Sequence, residues 1–237
     1  MITKETSNSQ GIDFSSGEVI LIDKPLKWTS FQVVYQIRKH AGVKKVGHAG
    51  TLDPLATGLL IICTGKKTKE ITRYQELFKI YKGSITLGKK SASMDGETEL
   101  VESGKTEHFT EEQILKVRDK FLGKIQQTPP MYSAIKLDGK TLYKLARKGK
   151  SVKREPREIE IKRFDIEINL PDINFEIECS KGTYVRVIAN DFGEMLGCGG
   201  YLSSLRRTAI GNYTVESALK VEKFIERFSV TNSFIKI

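Results

Sequence analysis

Apolar and polar positions alternate in two rhythms along this chain, and each rhythm predicts a different element. EVILIDKP, from Glu18 to Pro25, is a short apolar run closed by a proline turn, which predicts a strand. In LKWTSFQVVYQIRKHAG, Thr29 or Ser30 caps a helix with Phe31, Val34 and Ile37 on one face, and Gly42 closes it. KKVGHAGTLDPLATG breaks every rhythm and reads as a basic, glycine-rich loop, with LLIICTG leaving it as a buried strand. Thr68 is expected to cap a second short helix bearing Ile71, Tyr74, Leu77 and Phe78. KIYKGSITLG returns to a period of two, with Tyr81, Gly83, Ile85 and Leu87 on one face and Ile80 on the other.

The second half begins with SASMDGETEL, a polar, turn-rich loop. Thr110 and Gln113 form a capping-box signature, followed by a helical face of Ile114, Val117, Phe121 and Leu122 that ends at Gly123. Three alternating runs, IEIKRF, DIEINL and NFEIECS, predict three antiparallel strands. GTYVRVIANDFGEMLG passes from a strand end into a helix, SSLRRTAIGNY is a last basic strand, and VEKFIERF is a small amphipathic helix. Strands and helices in this order predict an α+β fold around a mixed sheet.

Charge sharpens the picture. The 237 residues carry a net charge of +10, and a surface this basic attracts polyanions, nucleic acid foremost. The excess concentrates in a basic segment, 129–157, which holds nine lysines and arginines against Asp138 and Glu155 only, interleaved with Tyr132 and Tyr143. That interleaving suits RNA, with cations on phosphates and rings on bases or sugars. No apolar run reaches the roughly 18 residues of a membrane span. Residues 1–17 lack the apolar core of a signal peptide and read as a polar tail, leaving 18–237 as one domain of an expected cytoplasmic protein. Cys63, Cys179 and Cys198 are too scattered for a disulfide framework or a structural zinc site, and Cys63 and Cys179 read as buried thiols. His40, His48 and His108 show no ligand spacing either, so no metal is expected.

The candidate chemistry lies in the glycine-rich loop. Asp53 is its lone acid and precedes Pro54. A rigid loop would hold its carboxylate still, as a nucleophile or base requires; equally, an Asp in a turn can bond its own backbone. His48 has the same two readings, stacking or proton transfer against a bond to a loop carbonyl. CTGKKTKE lacks the Ser/Thr and the upstream glycine of a phosphate-binding loop, which excludes that class. A glycoside hydrolase would need a second acid beside Asp53, and the loop offers none.

LIDKPLKWTS, GHAGTLDPLATG, IYKGSITLG, PPMYSAIKLDGKTLYKLARKG, CSKGTYVRVIANDFGE and LRRTAIG occur in this order between Val19 and Asn212. Together they resemble the motifs of the TruB family, the tRNA pseudouridine-55 synthases. The resemblance implies the pseudouridine synthase fold, a mixed, mostly antiparallel sheet with flanking helices and an RNA-binding insertion. It also implies a reaction without cofactor on the T arm of tRNA, and we expect a monomer. Asp53 becomes the catalytic carboxylate, and Lys24 lies in the N-terminal motif. Tyr81 would stack on the target base, near the proton lost from C5. Arg186 would pair with the carboxylate and keep it ionised. His48 would help hold the flipped-out nucleotide, and Leu205 would line an apolar wall that excludes water. Two departures accompany the match. Lys27 stands where the family usually has glycine, and the sequence reads as a short form without a further C-terminal RNA-binding domain. The competing reading is a non-catalytic tRNA-binding protein.

Overall fold

The computed structural model describes residues 1–7, 12–137 and 139–229. The chain forms two compact units, Met1–Ile80 together with the residues from Arg206 onward, and Tyr81–Leu205. It begins with β1 (Val19–Lys24), α1 (Ser30–His40), β2 (Val46–His48), β3 (Ala56–Thr64), a 3-10 turn (Gly65–Glu70) and α2 (Ile71–Glu76). β4 (Lys79–Leu87) carries the chain into the second unit, which holds β5 (Lys89–Ser91), β6 (Leu100–Glu102), α3 (Glu111–Asp119) and β7 (Gly123–Gln127). There follow β8 (Lys136–Leu137), β9 (Lys140–Thr141), α4 (Leu142–Ala146), β10 (Arg157–Asn169), β11 (Asp172–Cys179) and α5 (Val185–Leu196). β12 (Gly200–Ile210) returns to the first unit, which ends with β13 (Tyr213–Thr214), β14 (Leu219–Lys220) and α6 (Val221–Phe228).

In the first unit the strand order is β14-β1-β3-β12, with β2 on β3 and β13 on β12. β1 runs antiparallel to β3 and parallel to β14. Both faces of β1 and β3 are covered, which explains their unbroken apolar runs. Ile20, Ile22, Leu60 and Ile62 face α1 and α6, packing on Val33, Val34, Ile37, Phe224 and Phe228. Val19, Leu21, Leu59, Ile61 and Cys63 point the other way, onto Tyr74, Ile210, Val215 and Ala218. Thr29 caps α1 with a full capping box to Gln32, which frees Ser30 for a different task described below.

The second unit has the order β12-β4-β11-β10-β7, antiparallel where β7, β10 and β11 meet. Its α3 carries the expected Thr110–Gln113 capping box. Phe121 stacks on Phe192 of α5 with ring centroids 5.8 Å apart, and Phe164 of β10 meets both rings edge-on. The architecture is α+β, with a mixed, mostly antiparallel sheet and flanking helices.

Five local expectations are revised. Phe31 is exposed, because α1 turns Val33, Val34 and Ile37 inward instead. The glycine-rich stretch contains β2, whose Val46–His48 pairs with Thr64–Ile62 of β3. Thr68 caps no helix; its hydroxyl donates to the Gly65 carbonyl inside the 3-10 turn. The runs IEIKRF and DIEINL are one strand, β10, with an irregularity between Ile161 and Arg163. That bulge moves the inward set from Ile159 and Ile161 to Phe164, breaking the alternation that marks a single strand. Finally, the N-terminal stretch reaches the core. Ile2 bridges Ile20, and Phe14 packs edge-on against Phe224 and Phe228.

Candidate active site

The glycine-rich loop between β2 and β3 is fixed to its surroundings at Ala49, Gly50, Leu52 and Pro54. Ala49 donates its N–H to Ile61 O (2.9 Å), and Ala56 N–H donates to Asp53 O (3.0 Å). The second bond closes a four-residue turn with Pro54 at its second position, where a fixed φ suits the geometry. The turn is therefore made by the Asp53 backbone. Ser30, at the start of α1, grips Leu52 from both sides, its hydroxyl accepting from Leu52 N (2.9 Å) and donating to Leu52 O (3.1 Å). Lys27 N–H donates to Pro54 O at 2.8 Å. The segment from Lys24 to Ser30 thus brackets Asp53 on either side.

Two buried cations complete this clamp. Lys24 is 0% exposed, and its ammonium donates to Trp28 O (2.6 Å), Pro25 O (3.0 Å) and Pro54 O (3.5 Å). Burial pushes Lys24 down from 10.5 to about 8, while the charge of Asp53 acts in the opposite direction. Arg207, on β12 and 1% exposed, donates through Nε to Leu59 O (2.7 Å) and through Nη2 to Gly50 O (3.1 Å). The neighbouring Arg206 makes a two-pronged pair with Asp23 at 3.0 and 2.7 Å. Sequence reading misses Ser30 and Arg207 as parts of the clamp, since their partners are backbone groups 22 and 148 or more residues away.

Lys24 gives a pH test. Its folded-state pKa lies below the unfolded value, so between about 8 and 10.5 the unfolded chain binds more protons and stability rises with pH. Thermal melts should therefore show wild type gaining on Lys24→Met across that window. Parallel melting curves would contradict the buried ammonium.

Lys27 adopts the left-handed conformation, φ 65°, where a side chain is strained and glycine is not. This is the position at which the family resemblance leads one to expect glycine. Lys27→Gly should raise stability by about 0.5–1 kcal/mol, strain relief exceeding the added freedom of the unfolded chain. A denaturant titration checks it, and a loss of stability would contradict it.

His48 ends β2. Its Nδ1 is buried without a hydrogen-bond partner among the described residues. Burial, and then the charge of Arg207, lower its pKa, against a smaller effect of the Gly50 backbone. The ring is consequently held neutral at physiological pH.

The remaining expected site residues belong to the second unit. Tyr81 and Leu205 are its first and last residues, where β4 and β12 carry the chain across. Tyr81 is buried and shares its face of β4 with Ile85 and Leu87. Leu205 is partly exposed. Arg186, in the first turn of α5, is buried; it donates to Ser93 O (3.4 Å) and to Tyr132 O, and its guanidinium lies 5.7 Å from the Tyr184 ring centroid. Of the six, Lys24, His48 and Asp53 share the first unit, and Tyr81, Arg186 and Leu205 share the second.

The basic segment presents Lys140, Lys144, Arg147, Lys148, Lys150, Lys153 and Arg157 to solvent, while Asp138 lies outside the described residues. Its two tyrosines are already engaged. Tyr132 and Tyr143 meet edge-on at 5.9 Å, and the Tyr143 hydroxyl donates to Glu97 at 2.8 Å. Cys63, Cys179 and Cys198 are all buried and outside any disulfide. Among the described residues no group of three His, Cys, Asp or Glu side chains is placed to hold a metal ion, and no helix is long and apolar enough to cross a membrane.

Comparison with known proteins decides the family. The model of the TruB family pseudouridylate synthase N-terminal domain matches residues 38–185, and that of the tRNA pseudouridylate synthase B C-terminal domain matches 186–233. The chain belongs to the TruB family. It is 53% identical over 221 residues to tRNA pseudouridine synthase B of Chloroherpeton thalassium, covering 91% of this chain and 92% of that one. The same enzyme of Phocaeicola vulgatus is 48% identical over 222 residues, covering 91% and 94%. Among solved structures, a Cbf5-Nop10-Gar1 complex aligns with a TM-score of 0.68 at 28% identity over 90% of this chain. An H/ACA RNP bound to a substrate RNA containing 2'-deoxyuridine aligns with a TM-score of 0.66 at 25% identity over 90% of this chain. This chain spans about half of each of those chains, 54% and 53%. TruB membership gives the clamped Asp53 loop its chemical context.

Proposed function

We propose that this chain isomerises the T-loop uridine of tRNA, position 55, to pseudouridine, with Asp53 as the catalytic carboxylate. It is a tRNA pseudouridine synthase, an isomerase. The observation that carries the assignment of Asp53 is the loop itself: six hydrogen bonds from β3, α1, Lys27 and Arg207 fix the backbone from Ala49 to Ala56, so the main chain that carries the carboxylate is set in advance of binding.

The reaction breaks the N1–C1′ bond, turns the base and forms a C5–C1′ bond, with a proton leaving C5 and one arriving at N1. Atoms and electrons balance without oxidant or reductant, so protein groups are sufficient. Asp53 either attacks C1′ or removes the C2′ proton, and both routes release the base for rotation. Tyr81 would stack on that base. Arg186 would stabilise the carboxylate, and Lys24 would add a second positive charge on the side of the Asp53 loop. A neutral His48 would help hold the extruded nucleotide. Leu205 would exclude water from the detached base.

The proposal extends to a cytoplasmic, monomeric enzyme that grips the T arm through its basic segment. Affinity should fall steeply with salt, and Lys148→Gln with Lys150→Gln should reduce the slope of log K against log salt by about 1.4–1.8. An unchanged slope would remove these lysines from the contact. The function itself is tested by incubating the chain with an unmodified tRNA transcript and mapping pseudouridine. Modification of the T-loop uridine is expected; an unmodified transcript after stoichiometric incubation would contradict the assignment.

A further inference from the structure

Between Asp23 and Asp53 the chain carries no acid, while residues 24–52 hold Lys24, Lys27, Arg38, Lys39, Lys44 and Lys45. The helix in this stretch, α1, buries Val33, Val34 and Ile37 and turns a different set to solvent. Phe31 is 66% exposed and Tyr35, one turn on, is 51% exposed. Lys39 follows a further turn along the same face, and Leu26 and Lys27 are exposed just ahead of the helix. Two aromatic rings in line between two cations gain nothing from facing water. Lys27 also keeps its charged side chain at a left-handed position where glycine would be relaxed.

We infer that this face of α1 is a second RNA contact, receiving the nucleotides that flank the target uridine. The inference rests on the RNA substrate of the proposed function. Its position follows from the clamp, because Ser30 and Lys27 tie the start of α1 to Leu52 and Pro54, on either side of Asp53. From there the helix runs about 13 Å to Lys39, at 1.5 Å per residue. RNA delivering a ribose to Asp53 has this face within reach. Phe31 and Tyr35 offer sequence-tolerant stacking to bases, and Lys27 and Lys39 offer charge to phosphates. Charge complementarity selects RNA over a second copy of the chain, since the stretch that bears this face, residues 24–52, carries six lysines and arginines and no acid.

The test measures affinity in the Asp53→Asn background, so that catalysis does not enter. The probe is a labelled T-arm hairpin followed by fluorescence anisotropy. Phe31→Ala with Tyr35→Ala should weaken binding by at least about tenfold through lost stacking. Lys27→Gln with Lys39→Gln should lower the salt slope by about 1.4–1.8. Alanine at exposed helical positions favours the helix, and circular dichroism melts verify that the variants are folded. Affinity within twofold of the parent for the aromatic pair would overturn the inference. So would unchanged RNA affinity together with a loss of self-association in sedimentation, which would assign the face to a second copy. Pseudouridine formation by the wild-type chain is scored separately on the same hairpin, so failure of the enzymatic reading is distinguished from failure of this contact.

Discussion

Asp53→Asn should reduce product formation by at least about a thousandfold, the scale set by losing a positioned acid–base or nucleophilic group. The substitution is isosteric but removes the basic, nucleophilic oxygen. Folding should survive, because the bonds that shape the loop run through backbone groups: Ala56 N–H to Asp53 O, Ser30 to both polar groups of Leu52, and Arg207 to Gly50 O. One side effect is expected. With the negative charge gone, nothing at Asp53 opposes the burial of Lys24, whose ammonium should titrate still lower than about 8. Binding of tRNA should remain, since the cations of the basic segment belong to the other unit. Rapid-quench measurement of product, with melting curves and an RNA titration on the same variant, checks all three statements.

Gly58→Ala should be the most damaging single methyl group in the loop-and-strand region. Gly58 has φ +103°, closed to alanine without strain, and a Cβ there would lie 2.3 Å from Arg207 O and 2.8 Å from Arg207 N. Both obstacles are backbone atoms of β12, so no side chain can swing aside. Strain and overpacking together should cost about 3–5 kcal/mol, lowering the melting temperature by roughly 10 °C for a chain of this size. Activity should fall beyond the stability loss, because displacing Arg207 releases Gly50 O and loosens the Asp53 loop. Gly123→Ala is the control. Its φ is +83°, but its Cβ would meet open space, so only the strain of about 1 kcal/mol applies. Equal melting temperatures for the two variants would contradict the close approach of β3 and β12.

What the sequence reveals of this fold follows from the range of the interactions involved. Caps are local, so Thr29 with Gln32 and Thr110 with Gln113 announce α1 and α3 without tertiary information. β1 and β3 are legible because burial on both faces leaves unbroken apolar runs. Other features depend on partners that no local pattern records. SFQVVYQI holds two apolar stripes, and only packing decides that Val33, Val34 and Ile37 go inward while Phe31 and Tyr35 stay out. β2 is hidden because backbone pairing asks nothing of the side chains in VGH. β10 is split by one bulge that shifts its phase.

The site divides along the same line. Asp53 stands out in the sequence as a lone acid in a rigid turn. A turn does form there, through the main-chain carbonyl of Asp53. Lys24 is marked in the sequence only by its motif and Arg207 looks like an ordinary surface cation, yet both are buried on backbone carbonyls. Carbonyls are present at every residue, so a cation seeking them leaves no signature in sequence. Ser30 reads as a cap candidate and serves instead as the clasp on Leu52.

The role of Asp53 in the isomerisation is tested by tritium release from a T-arm transcript made with C5-tritiated uridine, under single-turnover conditions. Joining C5 to the ribose expels the C5 hydrogen, so each isomerisation frees one label. Wild type should release the single T-loop equivalent, and Asp53→Asn none. Release by Asp53→Asn at the wild-type rate, or no release by wild type, would contradict that role.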